Sequence, residues 1–226
     1  MAKNILLFGG SGRTGLHIAR QLCARGDQVV AMNRASTDAT ALADTGATIV
    51  TGSPLDQNDI EIAFAAGSFD AAILTLGHRR GEPPPRADLE GVKMIIDTAK
   101  SLDVERVLMI TMIGAGDSIS VVSDKVIEFL GVPIKAKTEA EDYLRDSGLA
   151  WTILRPGGLN EAPESGTGEL REECIMGVIT TAELARLTLD CLDNPDSIGK
   201  VYHTIDPEIK QQAPLQRGEN LPPKRD

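Results

Sequence analysis

Short apolar runs recur along the chain, and segments of helical spacing lie between them. Asn4 to Phe8 reads as a first strand. Thr14 to Ala24 reads as a helix that can set Leu16, Ile18, Ala19, Leu22 and Cys23 along one side, with Gly26 as its stop. The same alternation predicts strands over Gln28 to Met32, Ala47 to Val50, Ala71 to Leu76, Arg106 to Thr111, Trp151 to Leu154 and Lys200 to Thr204. Helices are expected over Asp56 to Ala66 and Ala87 to Ser101, and a helical region is expected from Ser123, with Pro133 near a helix start and Ala136 to Asp146 as its clearer half. Thr180-x-x-Glu183 is a capping-box pattern ahead of the stripe Leu184, Leu187, Leu189, Leu192. Strands separated by helices predict an α/β fold whose parallel sheet is buried on both faces.

Two segments interrupt the pattern. His78 to Pro85 carries consecutive prolines, which lack amide donors, so it is expected as a loop above the sheet. After Arg155-Pro156-Gly157-Gly158, a Gly/Glu-rich stretch runs to about Met176, and its length suggests function or mobility. Its glutamates, Glu161, Glu164, Glu169, Glu172 and Glu173, read as a solvated acidic loop or a charged lid. From Pro207 the chain is polar, giving one domain over 1–206 and a tail over 207–226.

A net charge of −10 opposes nucleic-acid phosphates and anionic lipid, so neither nucleic acid nor membrane is an expected partner, and any bound anion needs a local site. Cys23, Cys174 and Cys191 show no C-x-x-C spacing; neither a disulfide framework nor a metal site is expected, and a reducing cytoplasm suits them. The opening run Ile5 to Phe8 is too short for the apolar region of a signal peptide. A monomer is the default expectation.

The first strand and first helix are joined by Gly9-Gly10-Ser11-Gly12-Arg13-Thr14-Gly15. Gly9, Gly12 and Gly15 satisfy G-x-x-G-x-x-G, whereas Gly10, Gly12 and Gly15 satisfy G-x-G-x-x-G; both registers remain open. Either allows a tight turn, close approach to a diphosphate and close helix–strand packing, so a Rossmann-type doubly wound sheet binding a dinucleotide is expected. Ser11, Arg13 and Thr14 fall within this cradle, and Leu76 and Gly77 end the fourth strand beside it. The second strand ends Met32-Asn33-Arg34, without the carboxylate an NAD site usually carries. Arg34, with Arg13 opposite, can pair with a 2′-phosphate, which favours NADP(H); Asp38 lies close enough to oppose that reading.

With the loop Thr51-Gly52-Ser53-Pro54-Leu55-Asp56, the segment Lys137 to Leu154 and Arg155-Pro156-Gly157-Gly158, these residues resemble the atypical short-chain dehydrogenase/reductases. The likeness is to the NmrA-like group that includes biliverdin-IXβ/flavin reductase, and it runs from Lys3 to about Asp206. The resemblance implies that the glycine turn holds the diphosphate, that Ser53 replaces an adenine-side Gly-Asp, and that Pro156 and Gly157 pass near the nicotinamide. Lys137 matches the lysine of the family's Tyr-x-x-x-Lys, yet Pro133 stands where the tyrosine would be, and Tyr143 and Tyr202 are poorly placed to replace it. Thr111 and Lys137 are therefore the candidate catalytic residues: Thr111 facing the nicotinamide or bonded to backbone, Lys137 holding the nicotinamide ribose or simply exposed. His78 is a lesser candidate, while His17 and His203 are expected to be structural or exposed.

The expected activity is an NADPH-dependent reduction of a small planar or carbonyl acceptor, since the cofactor carries the hydride. The competing expectation is a noncatalytic NADP(H)-sensing protein with a protein partner. A nucleotide-sugar epimerase or dehydratase fits less well, for want of the tyrosine and of a larger C-terminal region.

Overall fold

A computed structural model describes residues 2–77 and 83–209. The elements run β1 (Asn4–Phe8), α1 (Arg13–Ala24), β2 (Gln28–Asn33), α2 (Thr40–Ala43), β3 (Thr48–Thr51), α3 (Gln57–Ala65), β4 (Ala71–Leu74), α4 (Val92–Ser101), β5 (Arg106–Ile110) and α5 (Asp124–Arg145). They continue with β6 (Ala150–Pro156), β7 (Gly158–Asn160), β8 (Glu169–Arg171), β9 (Val178–Thr180), α6 (Thr181–Asp193) and β10 (Lys200–Ile205). The sheet order is β3-β2-β1-β4-β5-β6-β10-β8, parallel except for the β10–β8 edge pair, and β7 and β9 form a separate parallel pair. This is a Rossmann-like doubly wound domain.

Alternate residues of each strand feed opposite layers. Ile5 and Leu7 pack with Ile18, Leu22 and Leu184 of α1 and α6, whereas Leu6 and Phe8 pack with Ile60, Ile95 and Leu144 of α3, α4 and α5. Because both faces are covered, β1 and β4 read as unbroken apolar runs, and each fully buried Leu, Ile or Phe contributes roughly 1.5–3 kcal/mol. The chain leaves β3 and re-enters the sheet beyond β1 as β4, so the direction of winding reverses between β1 and β4. A crevice opens there at the strands' C-terminal ends.

Three expectations need correction. Pro133 lies inside one continuous helix, α5, and not near a helix start. The tertiary packing of Ile134, Ala136, Ala140 and Leu144 outweighs the missing amide donor. The helix expected from Ala87 begins as a π-helical turn, Ala87–Gly91, before α4. The stretch expected as a long loop to Met176 instead contains β7 and β8. Of the expected loop His78–Pro85, residues 78–82, including His78, lie outside the described residues.

Buried carboxylates explain the order in that stretch. Thr180 caps α6 by accepting from the Glu183 amide, but Glu183 does not return the bond as a full capping box would. Its carboxylate, wholly buried, accepts from the amides of Ser165, Gly166 and Gly168 at 3.2, 2.9 and 2.8 Å and from Arg186 Nε at 2.9 Å. Asp206 adds bonds from the Ser165 and Thr167 hydroxyls at 2.5 and 2.8 Å.

Burial alone would raise the Glu183 carboxyl, but the bonds from Arg186, Gly166 and Gly168 override it and hold it below the usual range. A depressed folded value places the stabilisation above the unfolded value near ~4.3, to be lost as pH falls through the folded one. Glu183→Gln should therefore cost about 1.5–3 kcal/mol in urea unfolding at pH 7, with a deficit that narrows at low pH as the wild-type carboxyl protonates. It should also expose the 165–168 segment to limited proteolysis.

Candidate functional site

A cavity of about 480 Å³ occupies the crevice between β1 and β4. The β1–α1 turn lines it with Gly9, Ser11, Gly12 and Arg13; Met32, Arg34 and Thr37 come from the end of β2 and beyond. Gly52 and Pro54 follow β3, and Thr75, Leu76 and Gly77 follow β4.

The turn settles the glycine register. Gly9 has φ of +91°, and a Cβ on it would stand 2.5 Å from Thr75 Oγ1; a Cβ on Gly15 would lie 2.2 Å from the Gly9 carbonyl oxygen. A Cβ on Gly10 would meet only flexible ends of Leu42 and Leu7, at 3.1–3.2 Å. The close approach is thus built on Gly9, Gly12 and Gly15, with Gly12 donating its amide to Gly9 at 3.0 Å. Thr75, which no motif singles out, clamps the turn: its hydroxyl donates to the carbonyls of Phe8 and Gly9 at 3.1 and 3.0 Å.

At the start of α1, Gly12 has no capping side chain and no acidic residue occupies the first turn. The amides of Arg13, Thr14 and Gly15 therefore have neither an intrahelical acceptor nor a side-chain cap, and the helix end carries partial positive charge. With no carboxylate among the described lining residues, this donor set fits a diphosphate.

Arg34 lines the crevice just past the end of β2, and Arg13 lines it while its guanidinium reaches Glu161 at 3.5 Å. Asp38 is turned to its own segment, accepting from the Thr40 amide and hydroxyl at 2.9 and 2.7 Å, and does not line the cavity. Ser53 is also turned back: its amide donates to Asp59 Oδ2 at 2.9 Å and its hydroxyl accepts from the Leu55 amide at 3.2 Å.

Beyond Leu76 the geometry becomes polar and buried. Lys137 Nζ donates to the carbonyls of Leu76 at 2.5 Å and Ile110 at 3.4 Å, which fixes the ammonium behind the cavity's far end. Burial pushes this lysine down to about 8, against the pull of Asp88 and Glu141. Thr111 donates to Glu141 Oε1 at 2.6 Å, and Glu141 holds Arg155 through Nε at 3.1 and 3.2 Å and Nη2 at 2.6 Å. Arg155 also reaches Asp117 at 2.5 Å.

This network, buried at Thr111, Glu141 and Arg155 and ending at the exposed Asp117, has no signature in the sequence, because its members come from a strand end, a helix, another strand and a 3-10 turn. Its presence means that the Thr111 hydroxyl proton is directed to Glu141. Gly157 has a packing reason of its own: a Cβ there would lie 2.2 Å from the Gly177 carbonyl oxygen. Pro156 accepts from the Ile113 amide at 2.7 Å. Thr14, Gly15, Ser53, Thr111, Lys137, Pro156 and Gly157 do not line the cavity. Tyr143 donates to Asp97 at 2.7 Å on the outer surface, and Tyr202 packs in the β10 layer. His203 is buried.

Two paired outcomes follow from the glycine and lysine geometry. Gly15→Ala should lower stability by about 2 kcal/mol or more and abolish dinucleotide binding in calorimetry, whereas Gly10→Ala should change either little. Lys137→Met should raise the unfolding free energy at pH 7 by roughly 1–3 kcal/mol, since a folded value near 8 means burial disfavours the ammonium. For the wild type, stability should rise between pH 8 and about 10.4, where the unfolded lysine binds more protons than the folded one.

A family model described as NAD(P)H-binding matches residues 9–195, from the glycine turn past the end of α6. Among solved structures, ChuY, an anaerobillin reductase from Escherichia coli O157:H7, superposes with a TM-score of 0.83 at 28% identity, covering 92% of this chain and all of that one. An uncharacterized sugar epimerase, YhfK of Bacillus subtilis, is 27% identical over 202 residues, 88% of this chain and 92% of that protein. Sanguinarine reductase of Eschscholzia californica is 28% identical over 144 residues, 60% of this chain and 50% of that enzyme. Among the described residues no helix is long and apolar enough to cross a membrane. With the matched segment running through the glycine turn, the crevice and the helices on both faces of the sheet, the chain belongs to the NAD(P)H-binding family, built on a Rossmann fold.

Proposed function

We propose that this protein is an NADPH-dependent reductase of a small planar or carbonyl acceptor. The observation that carries the reading is a crevice with no carboxylate among its described lining residues, lined by Arg34 and Arg13 and backed at its far end by a buried ammonium. A guanidinium fork suits a 2′-phosphate dianion, and an absent carboxylate removes what would repel it. Two of the similar proteins are named reductases, one of anaerobillin and one of sanguinarine, which supports an extended conjugated acceptor. Free cysteines suit a reducing cytoplasm as its setting.

When bound, the nicotinamide supplies the hydride. The first-turn amides of α1 would hold the diphosphate, Arg34 the 2′-phosphate, and Lys137 the nicotinamide ribose through an ammonium aimed by Leu76 and Ile110. Pro133 has no proton to give, so an acceptor that takes its proton from water suits this site best: a flavin, quinone or tetrapyrrole before a simple ketone.

Pro133 also motivates a second reading, a noncatalytic NADP(H) sensor that passes the cofactor's redox state to a protein partner. Tight binding with no turnover, and a partner captured in one redox state only, would favour it.

Arg34→Gln should weaken NADPH binding by roughly ten- to a hundredfold, with NADH affinity within about twofold, as expected for a lost charged hydrogen bond. Equal losses for both coenzymes would remove the 2′-phosphate assignment. Steady-state NADPH oxidation across flavins, quinones, tetrapyrroles and ketones tests the activity, and silence with every acceptor would count against a reductase.

A further inference from the structure

The π-helical turn Ala87–Gly91 is fitted closely to the crevice: a Cβ on Gly91 would stand 2.5 Å from the Pro54 carbonyl oxygen, and Ala87 lines the cavity. Within that turn Asp88 is 1% exposed. Its Oδ2 accepts from Arg86 Nη2 at 2.9 Å, while Oδ1 is buried without a hydrogen-bond partner, as is Arg86 Nε. Leaving a buried carboxylate half-paired costs free energy, and a nearby positive charge is something that would offset it.

That something stands on α5, which packs against the turn. Lys137 is buried there with only neutral carbonyls as hydrogen-bond acceptors, Leu76 and Ile110. Glu141, one helical turn further along, is occupied by Arg155 and Thr111. Among the described residues, the charges that act on Lys137 are Asp88 and Glu141 of one sign and Arg86 of the other.

We propose that Asp88 is the counter-charge of Lys137: a buried carboxylate, tempered by Arg86, that keeps the lysine an ammonium ion at the far end of the crevice. Asp88 is a positioning residue, acting through Lys137. What the ammonium is used for rests on the reductase reading above; the charge coupling does not.

The two partners predict shifts of opposite sign. Asp88→Asn removes an attraction and lowers the pH at which Lys137 loses its proton; Arg86→Gln removes a repulsion, frees Asp88 and raises it. The full chain labelled with ¹³Cε-lysine, titrated by NMR from pH 6 to 10 without nucleotide, reads this directly, with the Lys137 signal identified by its loss in Lys137→Arg. The expected outcome is a wild-type midpoint near 8, lower by about half a unit or more in Asp88→Asn and higher by a similar amount in Arg86→Gln. An unmoved midpoint, or shifts of the same sign, would overturn the proposal. Should Asp88→Asn fail to fold, the double variant Asp88→Asn with Arg86→Gln, which removes the buried pair whole, decides: a midpoint below that of Arg86→Gln supports the counter-charge, and an equal or higher one refutes it. The pH dependence of NADPH affinity separates the two claims. If the midpoints split as expected but affinity ignores Lys137 protonation, the counter-charge stands and the placing of Lys137 on the ribose fails.

Discussion

The structure turns on a contact with no room for a side chain. The first turn of α1 lies so close to the end of β1 that a single methyl on Gly15 would sit 2.2 Å from the Gly9 carbonyl oxygen. That approach seats the helix N-terminus at the point where the sheet reverses direction and aims its amides into the crevice. Thr75 fastens the other side by donating to Phe8 and Gly9, so the end of β4 and the turn after β1 form one rigid lip. The binding surface there is backbone, and its shape is fixed by packing on both faces of the sheet.

Behind that lip the site is held by buried charge. The Glu141–Arg155 pair joins α5 to β6, Thr111 joins β5 to the same carboxylate, and Lys137 ties α5 to the ends of β4 and β5. Removing either partner of the Glu141–Arg155 pair strands the other in low dielectric, at a cost of roughly 3–5 kcal/mol, so that pair is intolerant of partial loss. It also keeps the helix that bears Lys137 in register with the strand ends, and the far end of the crevice inherits the rigidity of the sheet.

The parallel strands were legible because burial on both faces writes them as apolar runs. The glycine turn was legible because close approach leaves only one residue type possible. Less could be read where order depends on distant partners. The strands β7, β8 and β9 are three residues each, too short for a periodic signal, and Glu183 and Asp206 hold the nearby segment from far along the chain. Pro133 misled for the opposite reason: a local rule was strong, and the packing of the helix around it was stronger. Thr111 and Gly157 were singled out by resemblance, yet each has a structural partner, Glu141 and Gly177, that spacing does not reveal.

The placing of Lys137 does not depend on residue 133. Its ammonium is aimed by two strand-end carbonyls, so a proline one helical turn earlier removes a proton donor without disturbing the lysine. If Lys137 holds the cofactor as proposed, holding it and donating a proton are separable tasks. On the proposed reading, that separation acts as a filter on acceptors. A ketone needs its developing alkoxide protonated or stabilised in place, whereas a conjugated ring system spreads the added charge and can collect its proton from water. The same proline that weakens the case for a carbonyl reductase therefore narrows the acceptor to delocalised molecules, provided the crevice leaves one face of the nicotinamide open to them.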